Sequence, residues 1–243
     1  MVDRIFSEPD LAGWYDILCA GRADFGFYLP LVMSAHSVLD VGCGTGELLH
    51  RAREAGHTGR LCGLDPAEAM LAHARRRSDV EWVPGDLASV AWEGEFDLVV
   101  MTGHAFQVFV TDEELRVALT AARRALTDGG RFAFETRNPA VRAWERWTAS
   151  EVFEFGDSAG RKLRYWREAQ TPVVGDTVTF RATFDSDEWD RPQPSWSTLR
   201  FLDADEVASR LVEAGFVIEE RFGDFGGGRL TDGSPEIVIV ARR

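Results

Sequence analysis

The sequence predicts an α/β fold, a doubly wound, mostly parallel sheet that carries an inserted antiparallel β-sheet. From Val38 to Glu135, short β-branched runs alternate with helical patterns, as in successive βαβ units. Beyond Trp147 the period changes: Thr177-Val178-Thr179-Phe180-Arg181-Ala182-Thr183-Phe184 alternates polar with apolar, the pattern of a strand with one buried face. A chain of 243 residues accommodates one such domain with a modest insertion.

Before Ser37, the aromatics Trp14, Tyr15, Phe25, Phe27 and Tyr28 recur at loosely helical spacing, so residues 1–36 are expected to form a cap of one or two helices. The core, 37–148, is expected to place strands at 37–41, 60–64, 80–83, 97–101 and 130–135, with helices near 46–55, 67–76 and 112–126. Residues 149–200 are expected to be the inserted sheet, with strands near 161–168, 177–184 and 195–201 and a turn at Gly175-Asp176. In 201–243, Asp203 is placed to cap a helix that runs through Ala214 and stops at Gly215, and strands near 216–222 and 236–240 complete the core.

Composition narrows the partners. Lys and Arg total 27 against 40 Asp and Glu, a formal charge of -13, which repels a polyanion, so no nucleic-acid partner is expected. The one basic run, Arg75-Arg76-Arg77, suits the last turn of a helix. Cys19, Cys43 and Cys62 are odd in number and lack a CxxC spacing, which fits a reducing compartment. The start of the chain has no apolar leader, and no segment approaches the ~20 apolar residues of a membrane span, so a cytoplasmic protein without a membrane partner is expected. No histidine–carboxylate cluster has metal-ligand spacing, and no metal is expected.

Three strand ends carry the candidate chemistry, because ligands of open α/β sheets bind outside the carboxyl ends of the strands. In Val38-Leu39-Asp40-Val41-Gly42-Cys43-Gly44-Thr45-Gly46 an apolar strand runs into alternate glycines, which let the backbone turn sharply and approach a ligand. Gly63-Leu64-Asp65-Pro66 ends the next strand with a carboxylate suited to two vicinal ribose hydroxyls, or to capping the helix that follows. Pro84-Gly85-Asp86-Leu87 offers an acceptor for an adenine amino group beside an apolar side chain, or an ordinary turn.

On these segments the sequence resembles class I S-adenosylmethionine-dependent methyltransferases, in particular small-molecule enzymes of actinobacteria. The likeness continues through Phe96 to Gln107 and Phe132 to Pro139. It implies S-adenosylmethionine as cofactor, with Gly42, Gly44 and Gly46 against its methionine part, Asp65 on the ribose, and Asp86 and Leu87 flanking the adenine. It also places Asp40, Pro66, Met70, Thr102 and Gly103 at the cofactor, together with a cap tyrosine, for which Tyr15 and Tyr28 are the candidates. GxGxG separates this family from nicotinamide-dependent dehydrogenases, which expect GxGxxG. A non-catalytic S-adenosylmethionine-binding module shares the same residues.

The expected reaction is methyl transfer to an N, O or C atom of a small molecule, a natural product or aromatic compound among the candidates. His104, after the fourth strand, is placed to act as base, since imidazole titrates near ~6.5; the alternative is a packed structural histidine. Gln107, Glu135, Arg137 and Asn138 are candidate acceptor contacts on the same sheet edge. Trp144, Trp147, Trp166 and Trp196 supply aromatic area for a pocket or for core.

Overall fold

A computed structural model describes residues 2–243. Four short helices come first: α1 (Arg4–Ser7), α2 (Pro9–Ala12), α3 (Tyr15–Leu18) and α4 (Phe25–Ser34). The cap thus has more and shorter helices than the one or two expected, because Glu8, Gly13-Trp14 and the Cys19–Asp24 loop each interrupt the helical pattern. The core then runs β1 (Ser37–Val41), α5 (Glu47–Glu54), β2 (Arg60–Asp65), α6 (Glu68–Ala74), β3 (Glu81–Pro84), β4 (Phe96–Met101), α7 (Asp112–Ala125) and β5 (Leu126–Arg137). Asp112 follows a full capping box, in which Thr111 and Glu114 exchange bonds with each other's backbone N–H, so α7 starts where the sequence places it. After β5 the chain forms two 3-10 pieces, Pro139–Val141 and Ala143–Arg146, divided by Arg142 in the left-handed region at φ 45°.

The insertion holds β6 (Phe153–Gly156), β7 (Lys162–Ala169), β8 (Thr177–Ser186) and β9 (Gln193–Arg200), all antiparallel in sequence order. The short β6 was not expected from the sequence. The chain closes with α8 (Ala204–Glu213), capped by Asp203 and Glu206, then β10 (Val217–Phe222) and β11 (Glu236–Arg242).

The main sheet has the order β10-β11-β5-β4-β1-β2-β3. Strands β1 to β5 are mutually parallel, while β11 runs antiparallel between β5 and β10. Period-two alternation sorts each strand between two apolar layers. Leu39, Val99, Phe132, Phe134 and Ile239 face α7 and α8, whereas Val38, Leu98, Val100, Ala133 and Val240 face α4 and α5.

The insertion does not stand alone. Leu11 and Trp14 of the cap pack on Leu163, Ala182 and Phe184 of the inserted sheet. At its edge, Arg4 donates to the Pro194 carbonyl at 3.0 Å, the Ile5 N–H donates to Ser195 Oγ at 3.1 Å, and Ser197 donates to Asp3. The first helix is therefore laced to the last inserted strand. No helix is long and apolar enough to cross a membrane among the described residues.

Candidate active site

Continuing the same alternation past Val38, Ala133 and Val240 brings polar groups to one face of the sheet: Asp40 on β1, Glu135 and Arg137 on β5, and Glu236 on β11, which sits directly opposite Arg137 in register. They cluster where the strands carry their carboxyl ends. Over them lie α4 and the loop that holds Arg22 and Asp24.

The glycine turn adopts left-handed backbone at Gly42, Gly44 and Gly46, with φ of 71°, 57° and 77°. A Cβ at Gly46 would meet the Trp82 ring at 2.2 Å, and one at Gly44 would press on Met70 Cε at 3.2 Å, so the turn depends on glycine both conformationally and sterically. Beside it is a cavity of about 190 Å³ walled by Gly42, Thr45, Asp40, Thr102, Tyr15 and Arg22. Asp40 is buried and its Oδ1 has no hydrogen-bond partner; burial pushes its carboxyl up to about 7, although Arg22 pulls against that. Arg22 donates to Asp24 Oδ1 at 3.0 Å and to Thr102 Oγ1 at 3.2 Å, and lies over the Phe25 ring. Burial opposes its charge, but Asp24, together with Tyr15 and Cys19, offsets this and holds Arg22 above the ordinary arginine range. Arg22 and Asp24 were absent from the sequence reading, because they come from a loop with no periodic pattern and lie outside the strand-end motifs.

The other candidates differ in what they touch. Tyr28 is fully buried and donates to Glu135 Oε2 beneath the sheet face, so of the two cap tyrosines it is Tyr15 that borders the cavity. Asp65 is engaged by backbone, its Oδ2 accepting from the Gly44 N–H at 2.8 Å and its Oδ1 from the Ala67 N–H at 2.8 Å. Its carboxylate therefore fixes the glycine turn and the turn that leads into α6. Pro66 is exposed. The exposed Asp86 turns back on its own loop, accepting from the Ala88 and Ser89 N–H groups at 3.0 Å each, and Leu87 is buried in the main core rather than turned to a ligand. Met70 is buried with Phe6 and Tyr15, which close over this end of the site from the cap. Gly103 has φ 68°, and a Cβ there would meet the Arg22 guanidinium at 3.0 Å.

His104 also has a left-handed backbone, with φ 65°. Its N–H donates to Glu135 Oε1 at 2.7 Å, and its Nε2 is 3.0 Å from Glu236 Oε2. Burial and the nearby Arg137 push the imidazole down to about 3, while burial pushes Glu236 up to about 7. Glu135, fully buried, is likewise raised by burial.

Gln107 is a strut: its Nε2 donates to the Arg200 carbonyl at 2.9 Å, and its Oε1 accepts from Arg137 at 2.8 Å. Asn138 is structural, since its amide donates to the Ser234 carbonyl at 2.9 Å and its Oδ1 accepts from the Ala140 N–H at 3.1 Å. Of the tryptophans, Trp147 is buried between the sheets with Arg137 and Arg167 against its ring, Trp144 packs on Phe201, and Trp196 is exposed. Among the described residues there is no cluster of three or more metal-ligating side chains.

Residues 38–130 match the family described as Methyltransferase domain. The chain is 34% identical over 120 residues, 46% of its length and 52% of the relative's, to a 2-phytyl-1,4-naphtoquinone methyltransferase of Thermosynechococcus vestitus. It spans about half the length of the first curated relatives it matches. Among solved structures it is similar to an S-adenosylmethionine-dependent methyltransferase of Clostridium acetobutylicum, with TM-score 0.75, 16% identity and 96% and 97% of the two chains covered. It is also similar to an S-adenosylmethionine-bound amino pentose methyltransferase of Micromonospora echinaspora, with TM-score 0.65, 25% identity and coverage of 95% and 91%.

Proposed function

We propose, from the match of residues 38–130 to the methyltransferase-domain family and the fold shared with S-adenosylmethionine-dependent methyltransferases, that this chain methylates a small molecule. The observation that carries the reading is the pairing of Arg22 with the unpartnered Asp40 oxygen across one cavity beside the glycine turn. A cation and a carboxylate so placed fit the carboxylate and the ammonium of an amino-acid tail, and the bare backbone of Gly42 and Gly44 admits that tail closely. S-adenosylmethionine, when bound, supplies an electrophilic methyl group on a sulfonium, whose departure needs positioning more than acid catalysis.

The chain's own residues do the rest. The cap, through Tyr15 and Phe6, and the inserted sheet keep water from the strand ends. Glu236 and His104 hold one proton between them. Above about pH 7 the ionised Glu236 accepts from the Nε2–H of His104 and would stabilise the imidazolium formed when Nδ1 takes a proton from an N, O or C acceptor, offsetting the burial that otherwise lowers the imidazole to about 3. Glu135 holds the His104 backbone, and Tyr28 holds Glu135. A small-molecule acceptor is supported by the naphthoquinone and amino pentose named for the two relatives, and by the formal charge of -13, which disfavours nucleic acid.

Calorimetry with S-adenosylhomocysteine and with NAD tests the reading. Binding of the first and not the second is expected; affinity for NAD alone would overturn it.

A further inference from the structure

Two guanidiniums beside Trp147, those of Arg137 and Arg167, form no ion pair among the described residues. Arg137 ends β5 and Arg167 lies on β7, on the same strand face as Leu163 and Tyr165, which turns it toward the cap. Both press on the Trp147 indole, with their Cζ atoms 5.7 and 4.7 Å from its ring centre. The Nε of Arg167 is buried and has no hydrogen-bond partner. Arg137 spends one N–H on Gln107.

The carboxylates nearest Arg137 are already occupied. Glu236 is turned to His104 Nε2, and Glu135 holds both the His104 N–H and the Tyr28 hydroxyl. Neither arginine forms an ion pair among the described residues, in a chain whose other arginines mostly do. Two like charges beside one ring, partly out of water, repel each other, and burial with Arg167 alongside pushes Arg137 down to about 10. An oxyanion bridging the two would satisfy the open donors and relieve that repulsion, and planar guanidinium forks match carboxylate and phosphate geometry.

Resting on the methyltransferase reading, we infer that the acceptor carries an oxyanion, a carboxylate or a phosphate, seated on Arg137 and Arg167 beside His104. The anion would fix the distance from the anchored end of the acceptor to the atom that is methylated. Arg167 comes from the insertion and Arg137 from the core, so the acceptor joins the two sheets.

The test uses the full chain saturated with S-adenosylhomocysteine, titrated with benzoate, with phenyl phosphate and with neutral benzamide, and followed by ligand-observed NMR. Saturable binding of benzoate or phenyl phosphate but not benzamide is expected, and whichever binds more tightly identifies the oxyanion. Arg167→Gln should weaken that binding by about tenfold or more, the scale of a lost charged hydrogen bond, with S-adenosylhomocysteine affinity unchanged. Arg167→Lys, which keeps the charge without the fork, should fall between the two, and it still decides the matter if the glutamine variant does not fold. Equal binding of benzoate and benzamide, or anion affinity indifferent to both substitutions, would overturn the inference alone. Absence of S-adenosylhomocysteine binding in the wild type would overturn it together with the methyltransferase reading.

Discussion

His104 Nε2 and Glu236 Oε2 stand 3.0 Å apart as a pair held by one shared proton rather than by opposite charges, because burial lowers the imidazole to about 3 and raises the carboxyl to about 7. Between those limits the pair keeps its proton. Loss of the Glu236 carboxyl proton moves the imidazole N–H to Nε2, where Glu236 accepts it, and opens His104 Nδ1 as a base, so turnover should rise as pH passes about 7. Glu236→Gln should flatten that rise, and His104→Ala should lower kcat by about 10²–10⁴-fold with cofactor affinity kept. A pH profile of kcat that keeps its rise in the glutamine variant would sink the dyad.

The same shifts set acid stability. His104 titrates at 6.5 when unfolded but at about 3 when folded, so its contribution is present above pH 6.5 and lost as pH falls toward 3. Glu236 and Asp40 have the opposite sign: their folded values near 7 exceed 4.5 and 3.8, so their contributions are present at low pH and lost as pH rises through 7. In His104→Asn, whose side chain tolerates the left-handed backbone, only the second kind remains. Denaturant midpoints should therefore hold or climb from pH 7 to pH 5 relative to the wild type; a steeper acid loss in the variant would contradict the assignment.

Asp40 should release a proton when an ammonium arrives. At pH 6.5 its carboxyl is largely protonated, and a bound α-ammonium favours the ionised form. Heats of S-adenosylmethionine binding measured in two buffers of different ionisation enthalpy should differ at pH 6.5 and converge near pH 8.5. Asp40→Asn should remove the difference and cost about 1–3 kcal/mol of affinity. Buffer-independent heats in the wild type would argue that Asp40 does not meet the ligand.

Asp65→Ala should lose stability as well as affinity. Its two oxygens serve the Gly44 and Ala67 N–H groups, so the substitution leaves buried donors open at a cost of about 1–3 kcal/mol each. Thermal unfolding and calorimetry on the same preparation separate the two losses. Full stability with reduced affinity would make Asp65 a ligand group alone.

Much of this was legible in the sequence, for reasons that can be named. β1 and the glycine turn were marked by an apolar run meeting residues that need φ > 0, and α8 by Asp203 placed to cap it. Period two also puts Asp40 with Val38 and Glu135 with Arg137, so all of the polar face but Glu236 follows from alternation. Glu236 does not: it reaches Arg137 only because β11 inserts antiparallel beside β5, across about a hundred residues of intervening chain. Arg22 and Asp24 escape notice in an irregular loop, and β6, four residues long and mostly exposed, has too little buried face to leave a pattern. Tyr15 and Tyr28 look alike in sequence, and only the packing of α3 and α4 shows that one borders the cavity while the other props Glu135.

The lacing of α1 to β9 limits how this chain can be re-engineered. Grafting the insertion of a relative onto this core, as one would to change the acceptor, exchanges Ser195 and Ser197 and the apolar face of Leu163 and Phe184 while leaving Asp3, Ile5, Leu11 and Trp14 cut to the old surface. The transplantable cassette is therefore discontinuous. The first two dozen residues must travel with the inserted strands, and a chimera made at the two internal junctions alone would inherit a mismatched seam.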